Sequence, residues 1–283
     1  MTGTDAGGGR SVVQKAWRWL RGGDAGENAP SSHEAHQAVL TNTFEARHGV
    51  LARGHGSAAD PADPADVLAM QVVLRIEKRD PPARSELLAA AATVAVALCL
   101  DERSGPGGEW GSAVHAWVGA RIRKVTRRAR GKQWEDVQAL PGITAACGGA
   151  EARALVPGPV GQLDPRVKKL QISGTDLPED DPGEPAAKLP VIWIDAALGM
   201  STGKAAAQAG HAAMLLAGAM TFEQVRNWAR RDYACSVRDA APEQWARLQE
   251  QVRAGEAVAV RDAGFTEVAP GSMTVIAELH GLP

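Results

Sequence analysis

The sequence predicts an α/β protein built from two small tandem units. Three observations carry that expectation. Short β-branched runs alternate with longer helical stretches. The alternation passes through one order twice, β-α-α-β-α-β-β, once in 66–175 and again in 189–283. Laid with an offset of 111, residues 114–138 share 7 identities with 225–249, and Trp117 and Trp134 fall on Trp228 and Trp245. Coincidence between two αβ sequences remains the competing explanation of that match.

The elements follow in order. Residues 1–65 are rich in Gly, Ala, Ser, Asp and Pro and include "DPADPAD", so a largely disordered tail is expected. Within it "VVQKAWRWLR" (13–22) can form a short basic amphipathic helix. In the first unit, "AMQVVLRIE" (69–77) reads as a strand, 84–102 and 110–120 as helices, and "RIRKVTRRA" (121–129) as a strand. "KQWEDVQAL" (132–140) reads as a helix, and "EARALVPG" (151–158) and "KKLQISG" (168–174) as strands. Residues 176–188 are acidic and proline-rich and predict a linker. In the second unit "PVIWIDA" (190–196) is an apolar strand, followed by helices at 203–218 and 221–231. A strand at 233–239, a helix at 242–253 and strands at 256–262 and 273–279 complete it. "EARALV" at 151 also resembles "EAVAVR" at 256.

Composition narrows the function. Hydrophobic residues make up 45% of the 283 residues, enough for real cores, and the net charge of −2 selects no partner by itself. Cys99, Cys147 and Cys235 form no CxxC pair, so neither a zinc site nor a disulfide framework is expected, and no cofactor. That usage suits a reducing, cytoplasmic setting. The run Leu87–Leu100 is too short to span a bilayer and reads as a buried helix, so no membrane partner is expected. Charge is uneven. Residues 68–175 carry 16 Lys/Arg against 10 Asp/Glu, and seven of those cations lie between Arg121 and Lys132. Arg121, Arg123, Lys124, Arg127 and Arg128 are therefore candidates to contact nucleic-acid phosphates; a solvated basic strand explains them equally well.

The chemistry concentrates in "STGKAAAQAGHAA" (201–213). Gly203-Lys204 resembles the end of a phosphate loop. Only three residues separate Gly199 from Gly203, however, and Ala205 supplies no hydroxyl for magnesium, so the P-loop is rejected. Lys204, Gln208 and His211 instead share one helix face, which this segment alone leaves open as a solvated face or a site. Asp262, the first residue of "DAGFTEVAPGSMTV", closes a strand and can stand at the rim of the sheet beside Lys204; a carboxylate capping the turn explains it equally well. No Ser-His-Asp order and no G-x-S-x-G elbow is present.

The strings "GKAAAQAGHAA" and "DAGFTEVAPGSMTV", with their spacing, resemble the peptidyl-tRNA hydrolases of the type found in archaea and eukaryotes. The resemblance covers about 190–280. It implies a mixed four-stranded sheet flanked by helices, and hydrolysis of the ester between peptide and tRNA. It implies active-site roles for Lys204, Gln208, Asp262 and Thr266, and makes His211 and Arg238 candidate substrate contacts. The departures are Thr202 where the family usually has a second lysine, Phe265 for an arginine and Glu267 for a glutamine. Arg238 replaces a lysine and keeps its charge. The first unit has "DPPARSELLAAAA" before its helix and "PGPVGQ" after "EARALV", so it is expected to be a scaffold without the site. The expected partner is peptidyl-tRNA. The alternative is a non-catalytic RNA- or protein-binding module that keeps the fold. The oligomeric state stays open, a homodimer included.

Overall fold

In the computed structural model of the chain, residues 43–262 and 267–278 are described. The 13–22 segment lies outside them. Part of the expected tail is a helix, α1 (Phe44–Ala52), capped by the Thr43 hydroxyl. Arg47 Nε donates to the Leu100 carbonyl at 2.8 Å, and His48 Nε2 lies 2.9 Å from the Ala217 carbonyl. The low-complexity composition hid this helix because polar side chains turned inward hold it, not an apolar run. Residues 53–66 also follow a defined path. Gly56 N donates to the Val118 carbonyl, and Asp60 pairs with Arg123.

The first unit contains β1 (Leu68–Arg75), α2 (Arg84–Leu100), α3 (Gly111–Gly119), β2 (Lys124–Ala129), α4 (Lys132–Gln138), β3 (Gly142–Cys147) and β4 (Ala150–Leu155). A short β5 (Gly158–Pro159) pairs with the start of β1, and α5 (Pro165–Lys168) follows. The second unit contains β6 (Val191–Asp195), α6 (Thr202–Ala219), α7 (Phe222–Ala229), β7 (Ser236–Ala240), α8 (Pro242–Ala254), β8 (Ala257–Arg261) and β9 (Met273–Glu278).

Both sheets have one topology. Their orders are β2-β1-β4-β3 and β7-β6-β9-β8. In each, one pair is parallel (β1 with β2, β6 with β7) and the others are antiparallel, so both sheets are mixed. Details repeat at the offset of 111. Trp117 Nε1 donates to the Arg123 carbonyl at 2.8 Å, and Trp228 Nε1 donates to the Ala234 carbonyl at 2.8 Å. Ile122 and Tyr233 both take positive φ, 46° and 56°, just before the second strand of each sheet.

Two strand expectations are corrected. Residues 168–174 form no strand; Leu170 enters the core under α4, and Gln171 makes one isolated bridge to Arg128. The missed strand is β3, "GITAAC", a half-exposed edge whose alanines and glycine carry little β signal. Consequently "EARALV" is the inner strand β4 and corresponds to β9, whereas "EAVAVR" is the edge strand β8 and corresponds to β3.

Five layers stack through the molecule. Helices α2 and α6 pack on each other between the two sheets, and each touches a strand of the other unit, α2 with β7 and α6 with β2. One core cluster runs through this middle layer from Leu74 to Val275. Trp134 and Val137 of α4 close the outer face of the first sheet; Trp245 and Leu248 of α8 close the second. Most of both helices is buried, hence their alanine content; Lys204, Gln208 and His211 form a polar face on α6. At Gly218 of α6 an added Cβ would stand 2.5 Å from the Leu51 carbonyl, so glycine lets α1 cross there.

The 176–188 segment is a fitted strap. Leu177 N donates to Thr202 Oγ1 at 3.1 Å, Ser85 N donates to Asp180 Oδ1 at 2.9 Å, and Arg238 donates to the carbonyls of Pro182, Gly183 and Glu184. Asp180 thereby supplies the acceptor that α2 lacks at its own N-cap.

Candidate active site

Helix α6 begins at Ser201, whose hydroxyl accepts from Lys204 N at 3.1 Å. That cap sets the rotation of the first two turns and turns Lys204 and Gln208 toward the end of β8. There Lys204 Nζ lies 2.6 Å from Asp262 Oδ1, and Gln208 Nε2 donates to the same oxygen at 2.8 Å. The Lys204 and Asp262 side chains are only 12% and 9% exposed, so their attraction is weakly screened. Thr274 of β9 donates to Gln208 Oε1 at 3.2 Å, which turns the amide nitrogen toward Asp262. Asp262 is itself fixed by the hairpin: its N donates to the Ser272 carbonyl, and its carbonyl accepts from Gly271 N.

Glu267 meets the N-terminus of the helix. Both oxygens of Glu267 are engaged, Oε2 by Ser201 N at 2.9 Å and Oε1 by the Ser201 hydroxyl at 2.7 Å. An anion at a helix N-terminus is favoured by the dipole, so the Glu267 departure acts as a latch on α6. Thr202 is buried, and its hydroxyl holds the strap. Gly203 N donates to Thr175 Oγ1, and the Gly203 carbonyl accepts from Thr126 of β2. The first unit and the strap therefore fix the start of the site helix. Sequence reasoning gave no role to Thr126, Thr175 or Thr274; single threonines in strands and loops carry no distinguishing signal.

A cavity of about 1040 Å³ opens beside this cluster, between α6, β8 and the first unit's β2. Lys204, Gln208, His211 and Asp262 line it, with Lys124, Arg121 and Arg123 from the other unit. His211 Nδ1 lies 3.0 Å from Lys124 Nζ. Burial, then the nearby Lys124 cation, push the His211 pKa well below its usual value, so the ring is neutral. Arg127 is turned inward, donating to Gln71 and to the Leu170 carbonyl, and Arg128 donates to Gln171. Arg238 is held by the strap rather than at the cavity. Thr266 and Phe265 lie outside the described residues.

Residues 189–278 match the family model described as peptidyl-tRNA hydrolase PTH2. That match spans the second unit, less than half of the chain. No curated protein and no solved structure matches the chain. The PTH2 stretch runs from just before β6 to the end of β9 and contains Lys204, Gln208, His211 and Asp262. The cavity wall contributed by β2 lies outside it. Among the described residues no group of His, Cys, Asp and Glu could hold a metal ion, and no helix is long and apolar enough to cross a membrane.

Counting from the first residue of each helix, Glu86 of α2 stands where Lys204 stands in α6. Glu86 Oε2 accepts from Gly149 N in the β3–β4 turn at 2.9 Å. A two-residue turn thus replaces the long loop after Asp262, and an anion replaces the lysine.

Proposed function

We propose that the chain hydrolyses the ester of peptidyl-tRNA, releasing peptide and free tRNA, in the cytoplasm. The observation that carries this is the Lys204–Asp262–Gln208 cluster on a cavity wall within the PTH2 stretch. Asp262 orients or deprotonates a water, which attacks the ester carbonyl carbon. Lys204 and Gln208 stabilise the oxyanion that forms. The carbonyl reforms as the bond to the ribose oxygen breaks, and that oxygen takes the proton. Thr266 positions the water or Asp262. The first unit is a duplicated scaffold without the reaction, and its basic residues on the cavity rim, Arg121 and Arg123, hold the tRNA backbone.

The test is release of labelled N-acetyl-aminoacyl-tRNA by the full-length chain. Lys204→Ala and Asp262→Asn are each expected to lower the rate by roughly 10²–10³-fold. Unchanged rates in both would reject the assignment. One observation favours a second reading, a non-catalytic RNA-binding module. Thr202 and Arg238, at positions where the resemblance implies cationic contacts, are engaged with the strap. Tight tRNA binding without cleavage would support that reading.

A further inference from the structure

The basic run from Arg121 to Arg128 is mostly engaged within the fold. Arg121 and Arg123 face Asp60, Arg127 is buried, and Arg128 meets Gln171. Lys124 differs. It belongs to the first unit yet lines the second unit's cavity. Its partners are a neutral imidazole, His211 Nδ1 at 3.0 Å, and the Trp117 ring, whose centroid lies 5.0 Å away. Among the described residues no carboxylate pairs with it. When Lys124 is protonated its ammonium can only donate to Nδ1, so His211 then carries its own proton on Nε2, a second donor.

The approach is built into the helix. An added Cβ at Gly210 would stand 3.2 Å from Lys124 Cε and 3.1 Å from the Ala95 side chain. Glycine is a poor helix residue, and here it admits the lysine stem across α6. At the offset of 111 Lys124 corresponds to Cys235, whose thiol faces the Ala89 carbonyl. The cation therefore occurs only beside the Lys204–Asp262 cluster. Enclosure lowers its pKa to about 7, and an anion beside it would restore the ammonium.

Lys204 and His211 are seven residues apart, about 10 Å along α6. In peptidyl-tRNA the anion nearest the ester is the 5′ phosphate of the nucleotide that carries it. We propose that Lys124 and His211 form a phosphate subsite, completed by the first unit, for that 5′ phosphate. The identity of the nucleotide rests on the hydrolase reading; the binding of a nucleotide phosphate does not.

The test compares N-acetyl-aminoacyl esters of adenosine and of 5′-AMP on the full-length protein, with binding of 5′-AMP, adenosine and inorganic phosphate. The wild type is expected to cleave the AMP ester with kcat/KM roughly tenfold or more above the adenosine ester. Lys124→Met keeps the stem against Gly210 and should bring that ratio close to one. Lys124→Arg should restore most of it, and a loss of fold would show as a lowered melting temperature in both variants. Equal kcat/KM for the two esters in the wild type overturns the proposal, as does a ratio that survives in Lys124→Met. If no ester is cleaved, the hydrolase reading falls and binding decides. AMP bound more tightly than adenosine, with the difference lost in Lys124→Met, supports the subsite; equal binding overturns it. Inorganic phosphate bound as tightly as AMP overturns the assignment to a nucleotide.

Discussion

Thr274 has no exposed surface, and its hydroxyl decides which end of the Gln208 amide meets Asp262. Thr274→Val keeps the shape and removes the donor. It strands Gln208 Oε1 in a buried place, at a cost of about 1–3 kcal/mol. The expected outcome is a lowered urea midpoint, and a kcat reduced roughly tenfold or more as Gln208 loses its orientation. A kcat unchanged from wild type would show that Gln208 is held by other groups. His211 and Lys124 bring pH into the same neighbourhood, where His55, Lys204 and Cys99 also act on them. The His211 pKa is lowered by burial, as is that of His48 of α1. Unfolded histidines take up protons near pH 6.5 while the folded ones do not, so stability falls as pH drops below that value. For Lys124 the folded amine loses its proton near pH 7, whereas the unfolded one keeps it to 10.5. The unfolded state binds more protons across that window, so this group makes stability rise with pH. Above about pH 9 the opposite contribution begins, because burial holds the Cys99 and Cys235 thiols up to about 12. Urea midpoints between pH 7 and 9 should therefore rise less in Lys124→Met than in the wild type.

At the scale of elements, the strap explains why the expected second lysine is missing. Thr202 is 2% exposed, and its hydroxyl accepts from Leu177 N. A lysine there would bury its charge or expel the strap from the start of α6. Thr202→Lys is thus expected to lower the melting temperature without strengthening tRNA binding, which thermal melts and a filter-binding titration would check. A gain in tRNA affinity at unchanged stability would refute the strap's role. The helix face of Lys204, Gln208 and His211 was legible because helical periodicity fixes which residues share a side. Asp262 was legible because it closes a strand before a Gly-containing turn. The strap was not, since its hydrogen bonds use backbone groups and single threonines that composition cannot distinguish from a free linker. The edge strand β3 was missed for a related reason. Its residues are small and half-exposed, and only pairing with β4 makes them a strand. Lys124 showed as one cation among seven, and nothing in the run itself separates it from Arg127, which points inward.

At the scale of the whole molecule, the two units are not independent beads. Helices α2 and α6 share the central layer, and the core cluster draws side chains from both sheets. Residues 189–283 alone would expose the side of α6 that packs on α2, including the Gly210 region against Ala95. They would also be without Thr126 and Thr175, which fix the first turn of the site helix. Exposed apolar surface of that extent drives association. The isolated segment is therefore expected to aggregate or to pair with a second copy through α6, as read by sedimentation, and to lose the activity of the full chain. A monomeric, fully active 189–283 would show that the first unit serves only binding. The same architecture dictates how binding should be measured. The grip of Arg121 and Arg123 has to be tested in the full chain, where Asp60 competes with phosphate for both guanidiniums. Removing either arginine should flatten the logarithmic salt dependence of tRNA binding by about one unit of slope for each phosphate it had neutralised. Asp60→Asn should do the reverse, strengthening binding at low salt, because it removes the carboxylate that faces both arginines. If Asp60→Asn leaves the binding curve unchanged, these arginines lie off the path of the RNA, and Lys124 is left as the first unit's cation at the site.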